Sequence, residues 1–472
     1  DDEPVAACTD EACNFRSAIH GANASPGLDH IHFNLPQDSR SIRVQSPLPT
    51  ITEPIVIDGT TQPGYNGHPV IELDGEPAGE EASGLHVISG GSTLRGLVIN
   101  AFRGAHAGGS AIRLSSGGGN RVEGMWIGTD STGNGKRRND NGIVVHESAN
   151  NIIGGTTPET RNVISGNRRY GVLFLAVHPA PGNKLIGNYI GVAADGTRQL
   201  GNGQEGVRVH AADVQIGGVA PGEGNVIAFN AANGVTVFET GTAILGNQIF
   251  GNARVGIDLA PKQQAEEGVT VNDAGDGDAG GNHLQNYPLL SSATAGTEGL
   301  VRGSLHSEEM HDYHIEIFSN EACDTDGYGE GRDLLGSFEI STDREGNVAF
   351  ATAMDIPPNV VLTATATDIT SIGESFVRND TSEFSPCVTV QASEPQVPDV
   401  LTVTTASDSD DGRCDDAHCS LREAIHTSNT RAGLDHIAFQ IPGDGVHTIR
   451  PRAPLPIITD PVHIDGTSQP GY

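Results

Sequence analysis

Near the middle of this 472-residue chain the same residues return 63 positions later: Ile153 at Ile216, Asn162 at Asn225 and Gly171 at Gly234. A fixed period of this length confines the fold to architectures in which each repeat buries its apolar face against the next. Between about Gly84 and Leu259 each unit divides into two coils. Each coil holds three short apolar bursts, such as "GVRV", "VQIGG" and "NVIAFN", set apart by Gly, Asn and Pro. Alternation inside a burst puts Val207 and Val209 on one face and Arg208 on the other. Three strands per turn, stacked turn upon turn, predict a parallel β-helix. Asn151, Asn162, Asn167, Asn225 and Asn230 recur at its corners, where Asn tolerates left-handed backbone and bonds to adjacent coils. A β-sandwich also supplies short strands, but it gives no reason for Gly, Asn and "IGG" to keep fixed registers.

A second, longer repeat encloses the first. The stretch Cys8–Pro36 matches Cys414–Pro442 at an offset of 406, and after a one-residue slip "SPLPTITEPIVIDGTTQPGY" matches "APLPIITDPVHIDGTSQPGY" at 407. The chain therefore holds one copy of a large module and the opening of another. Its first residues, "DDEPVAAC", lack an initiator Met, which suggests a processed chain or a fragment. In each copy a short amphipathic helix is expected, with Phe15 and Ile19, or Leu421 and Ile425, four apart on one face. Such a helix would cover the first coil, whose bare strand edges otherwise invite pairing with other chains.

These readings give an all-β organisation: a cap and first coils over 1–83, a parallel β-helix over 84–287, and a β-sandwich over 288–392. A polar linker follows at 393–400, and a second cap and the start of a second β-helix at 401–472. The sandwich rests on a change of pattern to alternating strands, "YHIEIFS", "NVAFATA" and "VVLTATATD", at the hairpin spacing of an immunoglobulin-like module.

Charge narrows the partners. With 60 acidic against 27 basic residues the formal charge is −33, so nucleic acid, which needs a basic face, is a poor partner. No apolar run is long enough for a transmembrane helix. The cysteines at 8, 13, 323, 387, 414 and 419 read as three disulfides in an oxidising compartment. The rival reading, zinc, prefers pairs with two intervening residues, whereas "CTDEAC" and "CDDAHC" have four.

Candidate chemistry is sparse. Asn272, Asp273, Asp276, Asp278 and Asn282 crowd oxygen ligands among glycines, which suits calcium; Asp408, Asp410 and Asp411 form a second acidic loop. Lys136, Arg137 and Arg138, with Arg168 and Arg169 one coil later, are a basic island for an anionic partner such as a surface glycan. Ser420 and Glu423 have the spacing of a helix capping box. Asp130, Asp140, Asp195 and Asp213 sit in turn-rich stretches where Asp is ordinary, and with Asp258 they make no paired acid–base pattern. No catalytic set is assigned, and an enzyme is the less favoured reading.

"CSLREAI" at Cys419–Ile425 resembles the CSLREA domain of large secreted bacterial proteins. "IGGTTPETRNVISGN" and "NYIGVAADGTRQLGNG" are similar to the right-handed parallel β-helix repeats that follow that domain. "NDAGDGDAGGNHLQNYP", "ACDTDGYGEGRDLLGSF" and "TSEFSPCV" are similar to its appended sandwich module. The first copy departs from the motif, with Ser17 where the second has Glu423. The resemblance implies a protein of the envelope or the cell exterior. The stacked coils and the repeated caps point to a structural repeat module of such an extracellular or cell-surface protein, a rigid rod or filament for which an adhesive stalk is one expected use. Its partners would be copies of itself or further modules of the same chain. The alternative is a polysaccharide lyase, hydrolase or glycan-binding protein that uses the β-helix face.

Overall fold

The computed structural model describes residues 13–104, 108–261, 268–372, 376–392, 400–415, 417–430 and 434–472. Cys8 and nearly all of the expected linker lie outside them. The chain forms two compact units, 1–391 and 392–472.

The first unit opens with a helix, α1 (Phe15–Ala24), whose N-terminus is capped by the Asn14 side chain accepting from the Ser17 N–H. Its buried face, Phe15 and Ile19, rests on the solenoid core. Three parallel sheets then run along the coil stack, with eight, eight and seven strands. The first runs from Asp29–His32 to Ala243–Leu245, the second from Ser41–Arg43 to Gln248–Phe250, and the third from Leu85–Val87 to Ile257–Leu259. Ile153 pairs with Leu185, which pairs with Ile216, so the 63-residue sequence period is two coils. The predicted parallel β-helix is therefore present.

The periodic residues have separate physical causes. A Cβ on Gly171 would lie 2.5 Å from the Gly206 carbonyl oxygen, so this column is glycine because adjacent coils approach too closely for a side chain. Gly154, of the first "IGG", has φ +95°, a left-handed conformation that glycine adopts at no steric cost. The asparagines form ladders. Along Asn139, Asn167, Asn202, Asn230 and Asn252, each but the last donates from Nδ2 to Oδ1 of the next at 2.9–3.1 Å. Asn162, Asn188 and Asn225 do the same, each to the next and Asn225 to Asn247, at 2.9 Å. The expected bonding between coils holds, but the backbone reason does not. The left-handed residues at these corners are neighbours such as Asn150, Gly166 and Phe229, not the ladder asparagines.

The module after the solenoid is largely antiparallel. Its hydrogen-bonded path runs Asp333–Ser341, Asp312–Asn320, Val361–Asp368, Val388–Gln391, Leu289–Thr294, Gly296–His306, Asn347–Ile356. One pair, Leu289–Thr294 with Val388–Gln391, is parallel. The two end strands of this path touch through Phe338 and Phe350, ring centroids 5.2 Å apart, so the sheet curls over a core of its own that includes Tyr313, Ile315, Ile317 and Leu362. Cys323 is disulfide-bonded to Cys387, tying an early loop to the approach of the last strand.

The second unit repeats the opening of the first in miniature. A helix, α2 (Leu421–Ser428), covers three parallel strands, Val400–Val403, Asp435–Phe439 and Val462–Asp465. Ser420 and Glu423 form the expected capping box, and Cys414 is bonded to Cys419. Cys13 is also oxidised. The shared words of the two copies build the same clamps. Gln62 holds both backbone groups of Leu35 at 2.8 Å, and Gln469 holds those of Ile441 at 2.9 Å. Arg16 binds the carbonyls of Ser46 and Pro47, and Arg422 those of Ala453 and Pro454. Burial differs: Ile57 is fully buried in the first copy, whereas its counterpart Ile464 is 40% exposed in the second unit.

Candidate functional site

Among the described residues, ionisable groups gather at the acidic loop at 272–282, at the acidic loop before α2, and at the seam where the sheet module meets the last coil.

In the acidic loop, carboxylate oxygens of Asp273, Asp276 and Asp278 lie within 4.8 Å of one another. Asp276 is buried, accepts from the Asn286 N–H at 2.9 Å and from Ser307 Oγ at 2.5 Å, and its pKa is pushed up to about 7 by burial. Asp273 Oδ1 and Asp278 Oδ1 are buried without a hydrogen-bond partner. Three converging carboxylates, two with orphan oxygens, fit a hard cation such as calcium. The two asparagines do not join them. Asn272 pairs through its amide with both backbone groups of Tyr287, at 2.8 and 3.0 Å. Asn282 belongs to the seam.

The second acidic loop is rearranged in the same way. Asp408 is engaged by Arg422 through two contacts of 3.0 Å, which hold its carboxyl below the usual range, and it also accepts from the Arg452 N–H. It is an anchor for α2. Asp410 faces the His426 imidazole at 3.7 Å. Asp411 gathers instead with His418 and Glu423, two residues outside the expected ligand set. Glu423 has one oxygen on the Asp411 N–H at 2.8 Å and the other on the Ser420 N–H at 2.7 Å, which is capping chemistry.

The basic residues are mostly engaged by neighbouring coils, although Lys136, Arg138 and Arg168 remain exposed. Arg137 lies between Glu72 and Asp74, 2.8 Å from each, and Lys136 donates to the Gly201 carbonyl at 2.7 Å. Arg168 stacks one coil beyond Asp140, 3.6 Å away, and Arg169 donates to Gln204. The coil register thus sets Arg168 against an opposite charge. The lone Trp126 is buried among Val98 and Val163, so it offers no exposed stacking platform for a sugar.

The seam is the larger construction. The final strand of each solenoid sheet would leave its N–H groups bare, and side chains of the following module take them up. Gly241 N–H donates to Asp380 at 2.6 Å, Thr242 N–H to Asn282 Oδ1 at 2.9 Å, and Ile244 N–H to Thr381 Oγ1 at 2.8 Å. Gly246 N–H is shared by both oxygens of Glu316, at 2.9 and 3.1 Å. Ile249 exchanges backbone bonds with Gly331, and Leu259 N–H donates to Glu383 at 2.9 Å. Glu330 Oε1 accepts from the Nδ2 and N–H of Asn252, which puts a carboxylate where the next ladder asparagine would stand. The chain thus builds an imitation coil from side chains, and no regular spacing in the sequence announced it.

Burial raises the pKa values here, to about 7 for Glu316 and Glu330 and to about 8 for Glu383. Of the aspartates weighed for catalysis, Asp130 and Asp195 cap their own turns, accepting from the N–H groups of Thr132 and Thr197. Asp258 lies in a solenoid strand, bonded to Asn233 at 2.8 Å. The nearly buried carboxylates of the seam are committed to backbone donors. Among the described residues no helix is long and apolar enough to cross a membrane. No protein-family model matches the sequence, and a search of curated proteins returns no match.

Proposed function

We propose that this chain is a structural repeat module of a large extracellular or cell-surface protein. In this reading a CSLREA-type cap starts a stiff right-handed solenoid, and an immunoglobulin-like module finishes it. The observation that carries the reading is the imitation coil. The sheet module is built into the end of the coil stack, which suits a load-bearing rod better than a free binding domain. Each added coil would extend the rod by about 4.8 Å, the spacing of hydrogen-bonded strands. The disulfides fit an oxidising compartment outside the cytoplasm. Electron microscopy of the native particle tests it: fibres or rods with a regular long axial repeat are expected. Discrete monomers that cleave uronic-acid polymers or bind them in a groove would replace this reading with the enzyme or glycan-binding one.

Calcium is part of the proposal, at Asp273, Asp276 and Asp278. The support is the convergence of three carboxylates and the two orphan oxygens. A cation bound only by the folded state raises the melting temperature by mass action. Millimolar calcium is therefore expected to stabilise the protein, with Asp278→Asn losing most of the gain. An unchanged melting curve at about 10 mM calcium, a concentration above the affinity range of extracellular sites, would remove the metal from the reading.

A further inference from the structure

The seam between the last coil and the sheet module has a chemical asymmetry. Three of its acceptors are glutamates with almost no exposure, Glu316 and Glu383 at 1% and Glu330 at 7%. A buried carboxylate is normally held by a cation, because desolvating an unpaired charge is costly. Here the direct partners are amides. Glu316 meets the Gly246 N–H, Glu330 the N–H and Nδ2 of Asn252, and Glu383 the N–H groups of Leu259 and Thr270 at 2.9 and 2.6 Å.

The ionisable neighbours reinforce this. Near Glu316 stand His314, whose Nε2 is 3.9 Å from Oε1 and has no hydrogen-bond partner, and, along the adjoining cleft, Asp333. Glu330 is faced by Asp324, and Glu383 by Asp258, both acidic. Cations at the seam are engaged by other acids: His283 binds Asp380 at 2.8 Å, Arg378 is shared among Glu308, Asp368 and Asp380, and Arg332, over the Phe250 ring, pairs with Glu321 at 2.8 Å, while Arg208 and Arg254 act on Asp258.

We propose that Glu316, Glu330 and Glu383 form a proton-operated latch: docking of the sheet module on the solenoid takes up protons, and alkaline solution loosens it. Going beyond the rod reading, this inference depends only on the seam and holds whatever the assembled protein does.

The direction follows from linkage. Burial, the dominant cause, raises all three folded values above the ordinary 4.5. Their stabilisation is therefore complete below that value and is lost as pH rises through about 7 to 8. His283 acts in the same sense, since its bond to Asp380 raises it above 6.5. Asp258 and Asp213, both raised by burial, do likewise. His314 acts oppositely, because burial lowers it despite Glu339 nearby, and its contribution is lost as pH falls below 6.5. Mild acid is thus where the latch holds best.

Hydrogen exchange on the whole chain at about pH 6 and about pH 9, each normalised to intrinsic exchange, tests the latch. Protection over 241–260 is expected to fall at least about tenfold relative to 142–175, a tenfold change being what one shifted pKa unit supplies. In Glu316→Gln/Glu330→Gln/Glu383→Gln, whose amides keep the shape and cannot ionise, that dependence should shrink to less than about threefold. If the triple variant does not fold, Glu383→Gln alone should show a smaller fall than the parent. Equal protection at both pH values in the parent, or undiminished pH dependence in the amide variant, would overturn the latch.

Discussion

Replacing Asn167 by Ala is expected to destabilise the solenoid by about 3–5 kcal/mol, although only one amide is removed. Asn167 is fully buried in the middle of its ladder. Its Oδ1 accepts from Asn139 Nδ2 at 3.1 Å, and its Nδ2 donates to Asn202 Oδ1 at 2.9 Å. The substitution therefore takes a partner from a buried donor below and from a buried acceptor above. Each such loss costs about 1–3 kcal/mol when water cannot replace it, and the vacated volume adds a cavity term. Asn139 Nδ2 keeps its bond to the Ile99 carbonyl, and Asn202 Oδ1 keeps the Asn167 N–H, so the ladder is breached and not emptied. The shift in denaturant midpoint at unchanged slope measures the effect. A loss below about 1 kcal/mol, the net worth of one ordinary hydrogen bond, would mean that the ladder decorates the fold without holding it.

That ladder was readable in advance because a solenoid poses the same problem at every coil. Asn162 and Asn225, or Gly171 and Gly234, answer it alike and so leave a period in the sequence. The two caps were legible for a related reason, since each is spelled by local chemistry: Ser420 and Glu423 meet within one turn of helix. The seam had neither advantage. Glu316, Glu330 and Glu383 come from separate segments, each used once, and only the fold brings them to the same end of the stack.

Asn282 shows how proximity in sequence misleads. It stands among the acidic residues of its loop, yet Asn282, His283 and Leu284 are consecutive left-handed residues, φ 46°, 53° and 57°. Such a turn is unfavourable for non-glycine residues and persists because tertiary contacts fix it. It carries the amide away to the Thr242 and Thr381 backbone. Asp408 was misread for want of a partner: the match between Arg16 and Arg422 was visible, but not that Arg422 would take this carboxylate.

Phe384→Ala should be the other costly change, at about 3–5 kcal/mol. The residue belongs by sequence to the sheet module and by contact to the solenoid core, where it packs with Phe318, ring centroids 5.4 Å apart in an edge-to-face arrangement. It closes the end of the stack. A Cβ on Gly256 would come within 2.8 Å of its ring, and one on Gly331 within 2.6 Å, so both neighbours are glycines that leave room for it. The segment that carries it also presents Asp380, Thr381 and Glu383 to the last N–H groups, so one stretch both seals the core and caps the edges. Truncation would leave a cavity of aromatic size at the seam and loosen the acceptors beside it. Phe384→Leu, which keeps much of the volume, should cost about 1–1.5 kcal/mol. Denaturant melts rank the two variants, and hydrogen exchange over 243–259 locates the damage. A seal predicts early exchange there and, once the last strands are bare, association between chains through their edges. A sheet module that merely sits beside the solenoid predicts a melt within about 1 kcal/mol of the parent, the range of an average substitution, and unchanged exchange in the final coil.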